Sequence, residues 1–412
     1  MDRPNLRALG PYFAAFLSAD IAGQIEGIAV AWHVFSLHHR PFDLGLVGLT
    51  LFVPAALLVL VTGLFADRHD RRTIVAAATA GELAALLAFL GLVLAQTERL
   101  WPYLAALLVI GTARAFGAPA ERGMLLALVP ERAYLSISAA YSAVRELVAV
   151  GGPALGGALV AFGTPVALET AAGLLVLSIA GLAVLRVPPR SADAPAGAGA
   201  NRPAGAATLH DALGGLRFIR AQPVILAAIS LDLFAVLFGG ATALLPAYAD
   251  TILHTGPVGL GLLRCAPAAG AALSAAVLAR RPLRTHVGPT LLFAVGVFGI
   301  ATIVFGFSRS IGLSFAALAI AGGADMVSVV IRVGLVQLST PDAMRGRVNA
   351  VENVFIGASN ELGEFESGTL AALIGVVPAV VAGGAATLAV VAICSLAFPQ
   401  LRRLDRFGRA AA

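Results

Sequence analysis

Apolar runs of twenty residues or more follow one another almost without pause from residue 9 to residue 399. A helix needs about 20 such residues to cross the hydrocarbon core of a bilayer. Twelve runs can be placed. Six lie near 9–37, 44–66, 72–96, 102–126, 135–161 and 164–186, and six near 223–251, 257–279, 286–307, 311–337, 347–374 and 376–399. Lipid offers no hydrogen bonds, so a spanning segment must satisfy its own backbone, and a helix does so. The expected fold class is an all-α membrane protein with twelve transmembrane helices.

Composition excludes the other readings of a 412-residue chain. Charged residues make up 12% and hydrophobic residues 59%, against about 25% charged in soluble domains. The net charge of +5 therefore reflects where the arginines sit, and no nucleic-acid partner is expected. Lysine is absent, so all 28 basic residues are arginine. Cys265 and Cys394 fall inside apolar runs and read as small core residues. Arg3 and Arg7 precede an apolar run, as in a signal peptide. That run carries Asp20, Gln24 and Glu26 and extends to about Leu37, too long and polar for a cleaved leader. There is no metal-ligating cluster and no nucleophile with a partner. No metal, cofactor, catalytic residue or enzyme activity is expected.

The arginines orient the chain by the positive-inside rule. With both termini cytoplasmic, Arg40, Arg99 and Arg309 lie in outer loops, and Arg114, Arg145, Arg264 and Arg332 lie within spans. The other 21 lie in cytoplasmic segments or at the cytoplasmic ends of spans. Residues 187–208 are rich in Ala, Gly and Pro and read as a linker. After it, Thr208 and Asp211 mark a helix start. Leu209, Leu213 and Leu216, with Arg217 and Arg220, suit a short helix on the inner membrane surface. The expected organisation is an N-terminal six-helix bundle at 1–186, a cytoplasmic linker with its interfacial helix at 187–222, and a C-terminal six-helix bundle with a cytoplasmic tail at 223–412.

The two bundles repeat at an offset near 212. Ser18-Ala19-Asp20 matches Ser230-Leu231-Asp232, and Gly111-Thr112-Ala113-Arg114 matches Gly322-Gly323-Ala324-Asp325. Glu121 matches Arg332, and Gly156 matches Gly368. Parallel six-helix repeats imply a substrate site at midplane between the halves.

Charges within spans cost about 2.5–3.5 kcal/mol each at the bilayer centre. They must be paired, face a wet cavity or sit near an interface. The candidates for proton coupling and a substrate cavity are Asp20, Gln24, Glu26, Arg114, Glu121, Asp232, Asp325, Arg332, Asn360 and Glu364. Arg114 and Glu121 share one helix face, as do Asp325 and Arg332 with the signs reversed. Symmetry between spans 4 and 10 suggests Arg114 with Asp325 and Glu121 with Arg332, either as structural ion pairs or as a coupling site. Span 11 carries a polar stripe of Asn349, Asn353, Asn360, Glu364 and Ser367. His33 reads as a satisfied side chain near the outer interface.

Four stretches resemble the major facilitator superfamily of transporters. Gly63-Leu64-Phe65-Ala66-Asp67-Arg68-His69-Asp70-Arg71-Arg72 resembles its loop between spans 2 and 3. Asp70 stands there where many members have Gly, so the turn must be made another way. Gly111-Thr112-Ala113-Arg114-Ala115-Phe116-Gly117 resembles the span-4 arginine motif of proton antiporters. Gly152-Pro153-Ala154-Leu155-Gly156-Gly157 resembles the antiporter signature of span 5. The stretches from Asp232 to Ala249 and from Thr340 to Gly368 are similar to the enterobactin-exporter-like branch, which also resembles macrolide-efflux exporters.

The resemblance implies the major facilitator fold and export of a small organic molecule, a siderophore or an amphipathic drug, by proton antiport from the inner membrane. It implies a gating loop of Gly63, Asp67, Arg68, Arg71 and Arg72, with the arginines anchored to carboxylates and lipid phosphates. It implies an antiporter hinge of Gly152, Pro153, Gly156 and Gly157. The second copy of the loop, Ala279 to Arg284, has lost its Asp. The expected partners are a small-molecule substrate, protons and the lipid bilayer, with the chain a monomer. The alternatives are a proton-coupled importer or uniporter on the same scaffold, and a membrane scaffold or sensor that transports nothing.

Overall fold

The computed structural model describes residues 6–129, 131–185 and 209–407. Among these residues there is no strand. The first six long helices are α1 (Leu6–His38), α2 (Pro41–Arg68), α3 (Arg71–Leu94), α4 (Leu100–Leu128), α5 (Glu131–Ala161) and α6 (Thr164–Val184). Then come α7 (Leu209–Ala221), α8 (Pro223–Phe238), the short α9 (Leu245–Ala247), α10 (Gly256–Arg280), α11 (Val287–Phe307), α12 (Ile311–Ser339), α13 (Asp342–Ile374), α14 (Val376–Ala397) and the four-residue α15 (Pro399–Arg402). Among the described residues, eleven segments are long and apolar enough to cross a membrane. The other long helix, α13, carries seven charged residues among its 33, which lowers its hydropathy below that of its neighbours.

The described chain forms two compact units, Met1–Leu37 with Thr50–Ala206, and His38–Leu49 with Ala207–Ala412. The first nine residues of α2 therefore group with the second unit. In the first unit, Tyr12 and Phe16 of α1 pack with Ile74 and Val75 of α3, Met124 of α4, Tyr141 of α5 and Leu182 of α6. In the second, Ala227 and Leu231 of α8 pack with Leu291 of α11, Ile331 and Leu335 of α12 and Cys394 of α14. Apolar contact alone gives helices in lipid little reason to associate, so close packing and hydrogen bonds hold such bundles together.

Three features depart from the sequence expectations. The segment expected as one helix over 223–251 is broken. α8 ends at Phe238, a 3₁₀ turn spans Ala241–Leu244, and a π-helical turn spans Tyr248–Ile252 beyond α9. Gly239 and Gly240 make the break, and both sites demand glycine. A Cβ on Gly239 would strike the Phe298 ring, and one on Gly240 would lie 2.7 Å from the Gly363 carbonyl oxygen. Pro246 lacks the N–H that would bond back to Thr242, and the Leu245 N–H takes that carbonyl instead.

The short helix α7 is where it was expected, but its Ile219 is buried against Ile225 and Ile229 of α8 and Val348 and Val351 of α13. It is thus packed on protein. Residues 186–208 and the side chains of Leu209 and Leu213 lie outside the described residues. His33 is not satisfied. Its ring packs on Phe89 and Tyr103, and its buried Nε2 has no hydrogen-bond partner.

The loop between α2 and α3 closes through Asp70. In an extended conformation, Asp70 accepts from the Arg72 N–H at 3.2 Å and the Thr73 hydroxyl at 3.1 Å. This is an N-cap, and it replaces the glycine turn. The second copy of the loop has no such residue. There the N-cap of α11, His286, is left-handed at φ 56°. Its N–H donates to Asp405 Oδ1 at 2.9 Å, and the first N–H groups of α11, on Val287 and Gly288, donate to the Asp405 and Leu404 carbonyls at 3.3 and 2.9 Å, so the C-terminal segment supplies the missing acceptors.

Candidate functional site

Both units hold an arginine between two carboxylates. In the first, Arg114 of α4 donates from Nη2 to Glu26 Oε1 of α1 at 3.0 Å and to Glu82 Oε1 of α3 at 2.6 Å, and its Nε reaches Glu82 Oε1 at 2.9 Å. Glu26 is 2% exposed, and its Oε2 is buried without a partner. In the second unit, Arg332 of α12 is held by Glu352 of α13. Its Nε lies 3.3 Å from Asp232 Oδ2 of α8, near enough for an ion pair, although the N–H is not aligned for a hydrogen bond. All three of these residues are buried.

These pairings correct one expectation. Arg114 was expected to meet Asp325, and Glu121 to meet Arg332. The structure instead pairs each arginine inside its own unit. Sequence symmetry relates the positions, but a charge in lipid takes the carboxylate its own bundle places nearest. Glu82 and Glu352 were visible as intramembrane acids, yet nothing in their spacing singled them out as arginine partners. That depends on which faces of α3 and α13 turn inward.

The other candidates scatter around these triads. Asp20 lies 3.0 Å from Arg145 Nε of α5. The N–H points off the oxygen, so the pair is ionic without a hydrogen bond. Arg145 also lies over the Tyr141 ring, whose hydroxyl donates to Glu121 Oε1 at 3.3 Å. Asp325 lines a small cavity beside Asp232 and Ser328. Glu364 lies against the start of α2, where a Cβ on Gly48 would be 2.6 Å from its Oε2.

The span-11 stripe is divided. Asn349 accepts from Gln337, Asn360 is exposed, Ser367 is buried, and the Asn353 side chain lies outside the described residues.

The hinge residues Gly152, Pro153, Gly156 and Gly157 are all buried. A Cβ on Gly152 would lie 2.7 Å from Gln24 Cβ, and one on Gly156 would lie 3.1 Å from Ile25 Cα. Gln24 is thus a packing residue of the α1–α5 seam. In the gating loop, Arg72 Nη2 donates to the Ala183 carbonyl at the end of α6, at 2.5 Å. That helix terminus stands where a carboxylate or lipid phosphate was expected, because the last carbonyls of a helix are unpaired acceptors at the negative end of its dipole. Arg68 closes α2 and Arg71 opens α3. The Asp67 side chain and the surroundings of Gly63 lie outside the described residues.

Residues 12–364 match the Major Facilitator Superfamily. The chain is a member of that family. As a major facilitator protein it is a multi-pass membrane transporter and not an enzyme, and its helices have the major facilitator fold. It is 28% identical to the enterobactin exporter EntS of Escherichia coli O1:K1 / APEC, over 97% of this chain and 93% of that one. It is 27% identical to the uncharacterized MFS-type transporter YfiS of Bacillus subtilis (strain 168), over 91% and 90%.

Among solved structures, a bacterial homolog of the human lysosomal transporter Spinster, inward-facing and unoccupied, matches with TM-score 0.72 at 14% identity. It covers 98% of this chain and 97% of that one. A bacterial homologue of the iron transporter ferroportin, inward-facing, also matches with TM-score 0.72, at 17% identity over 97% and 100%. At such identities the likeness concerns the fold alone.

Proposed function

We propose that this chain exports a small organic molecule, a siderophore or an amphipathic drug, across the inner membrane in exchange for protons. The observation that carries this is the Arg114 triad. Two carboxylates share one guanidinium, and one carboxylate oxygen of Glu26 is buried with no donor. Such a group is neutral with one proton bound and singly negative without it. A charge that changes within the bilayer is costly in one of its two states. Proton occupancy then selects which arrangement of the helices around Arg114 is stable.

In this reading both termini face the cytoplasm, and residues 1–186 and 223–412 are the two six-helix bundles. Gly63, Asp67 and the arginines Arg68, Arg71 and Arg72 form the loop that gates the cytoplasmic face. The Gly152–Gly157 seam on α1 is the bending element. The likeness to EntS favours a siderophore as cargo. Obligatory exchange with inward-moving protons makes the direction export.

The test is the purified chain in proteoliposomes with an imposed pH gradient and enterobactin or a macrolide as probe. Gradient-driven movement of either, with countermovement of protons, supports antiport. Movement with the proton gradient in the same direction establishes import. The absence of both substrate and proton flux refutes the reading.

A further inference from the structure

We propose that Asp325 is a second proton-binding site, separate from the Arg114 triad, in a small and largely apolar cavity of the second unit. The cavity is lined by Asp232, Asp325 and Ser328 together with apolar groups including Ala235, Val295 and Phe298. Ser328 is 2% exposed and its hydroxyl has no partner. It lies one turn beyond Asp325 on α12 and lines the same space.

The count of charges around the cavity points to a proton. Arg332 is engaged by Asp232 and Glu352. Among the described residues no cation lies within ion-pair distance of Asp325. Three carboxylates therefore share one arginine. The ionisable groups acting on Asp325 are Asp232 of α8 and Arg332 of its own helix, and Arg332 is in turn bound to Glu352. α11 and α14 carry no charged residue. The one charge of α10 before its last turn, Arg264, acts on Glu361 and Glu364.

An ionised carboxylate without a counter-charge is expensive in such surroundings. Binding one proton turns Asp325 into a neutral acid with a hydroxyl donor. One water in the cavity would then find three polar partners in Asp325, Ser328 and Asp232, as a buried water requires. Releasing the proton leaves the carboxylate beside Asp232, where the repulsion is relieved only if the cavity opens to water. Asp325 thus couples proton release to a change in the packing of α8 on α12. The site rests on the antiport reading only for its use in the transport cycle.

The experiment is infrared difference spectroscopy of the purified full chain in lipid, between acid and alkaline buffers with potassium as the only metal ion. The expected result is a carboxylic-acid C=O band that disappears on alkalinisation, is absent in Asp325→Asn and persists in Glu26→Gln. Ser328→Ala should shift that band without removing it. This keeps the test open if Asp325→Asn yields no protein.

An unchanged set of titrating bands in Asp325→Asn overturns the proposal, and so does a band that Ser328→Ala leaves unmoved. Loss of the band on adding sodium at constant pH also overturns it, because the cavity then takes a sodium ion. Proteoliposomes separate this from the export reading. A band that behaves as expected while enterobactin does not move leaves the proton site standing and removes the cargo. Proton-coupled enterobactin export with the same proton-to-substrate ratio in Asp325→Asn leaves export standing and removes the second site.

Discussion

Arg114 and Arg332 each sit between two carboxylates, at positions the repeat does not align, and they differ in side-chain exposure. The Arg332 side chain is 4% exposed and that of Arg114 is 40% exposed. Replacing either leaves two carboxylates facing each other, and the cost scales with their isolation from water. Arg332→Ala should destabilise the protein by about 3–5 kcal/mol, the cost of breaking a buried ion pair. A thermal melt in detergent measures it, and the triple change Arg332→Met with Asp232→Asn and Glu352→Gln should recover most of the loss. Arg114→Ala should melt closer to wild type. Arg114→Lys keeps the charge but loses the planar fork that spans Glu26 and Glu82. It should insert normally yet lower transport about tenfold or more, consistent with losing a charged hydrogen bond of about 1.5–3 kcal/mol.

At the scale of elements, close approach and capping do most of the positioning. α5 approaches α1 through Gly152 and Gly156, and Gln24 fills the space a side chain would need. Gly152→Ala should reduce transport while leaving expression intact, and Gln24→Gly should restore part of it by removing the Cβ that the new methyl would strike. A Gly152→Ala protein with wild-type flux would show that the seam does not move.

The two inter-helix loops contrast in origin. Asp70 caps α3 locally, whereas Asp405 serves the start of α11 from 119 residues away. Asp70→Ala should cost about 1 kcal/mol, typical for a lost N-cap, and Asp70→Asn much less. Asp405→Ala should loosen the C-terminal segment on α11, which the Leu404 and Asp405 carbonyls and the buried Leu401 and Leu404 still hold. Hydrogen exchange at residues 399–407 would then rise while the rest of the second unit stays protected.

For the molecule as a whole, the charge count inside the membrane sets the expected behaviour. On the proposed reading of two proton sites in different units, the flux of an exported probe should depend on the pH gradient more steeply than first order. Glu26→Gln or Asp325→Asn should each reduce that dependence toward first order. Flux that is insensitive to the gradient in all three proteins would remove protons from the cycle.

Much of this was legible from the residues in order. The helix boundaries came out within a few residues, because the bilayer imposes its thickness on every span and turn residues mark the gaps. The need for intramembrane pairing was legible too, because an isolated charge there is costly. Partner identity was not. Glu82 and Glu352 were two acids among many, and only the packing of α3 on α4 and of α12 on α8 and α13 selected them.

The break at Gly239–Gly240 and the cap from Asp405 also belong to tertiary structure. Each is decided by a contact with a residue distant in sequence, Gly363 in one case and the C-terminal end in the other. The sequence by itself determined which segments leave water, since hydropathy is a sum over neighbours along the chain. Which charges meet depends on helix rotation and proximity, and only the folded bundle supplies those.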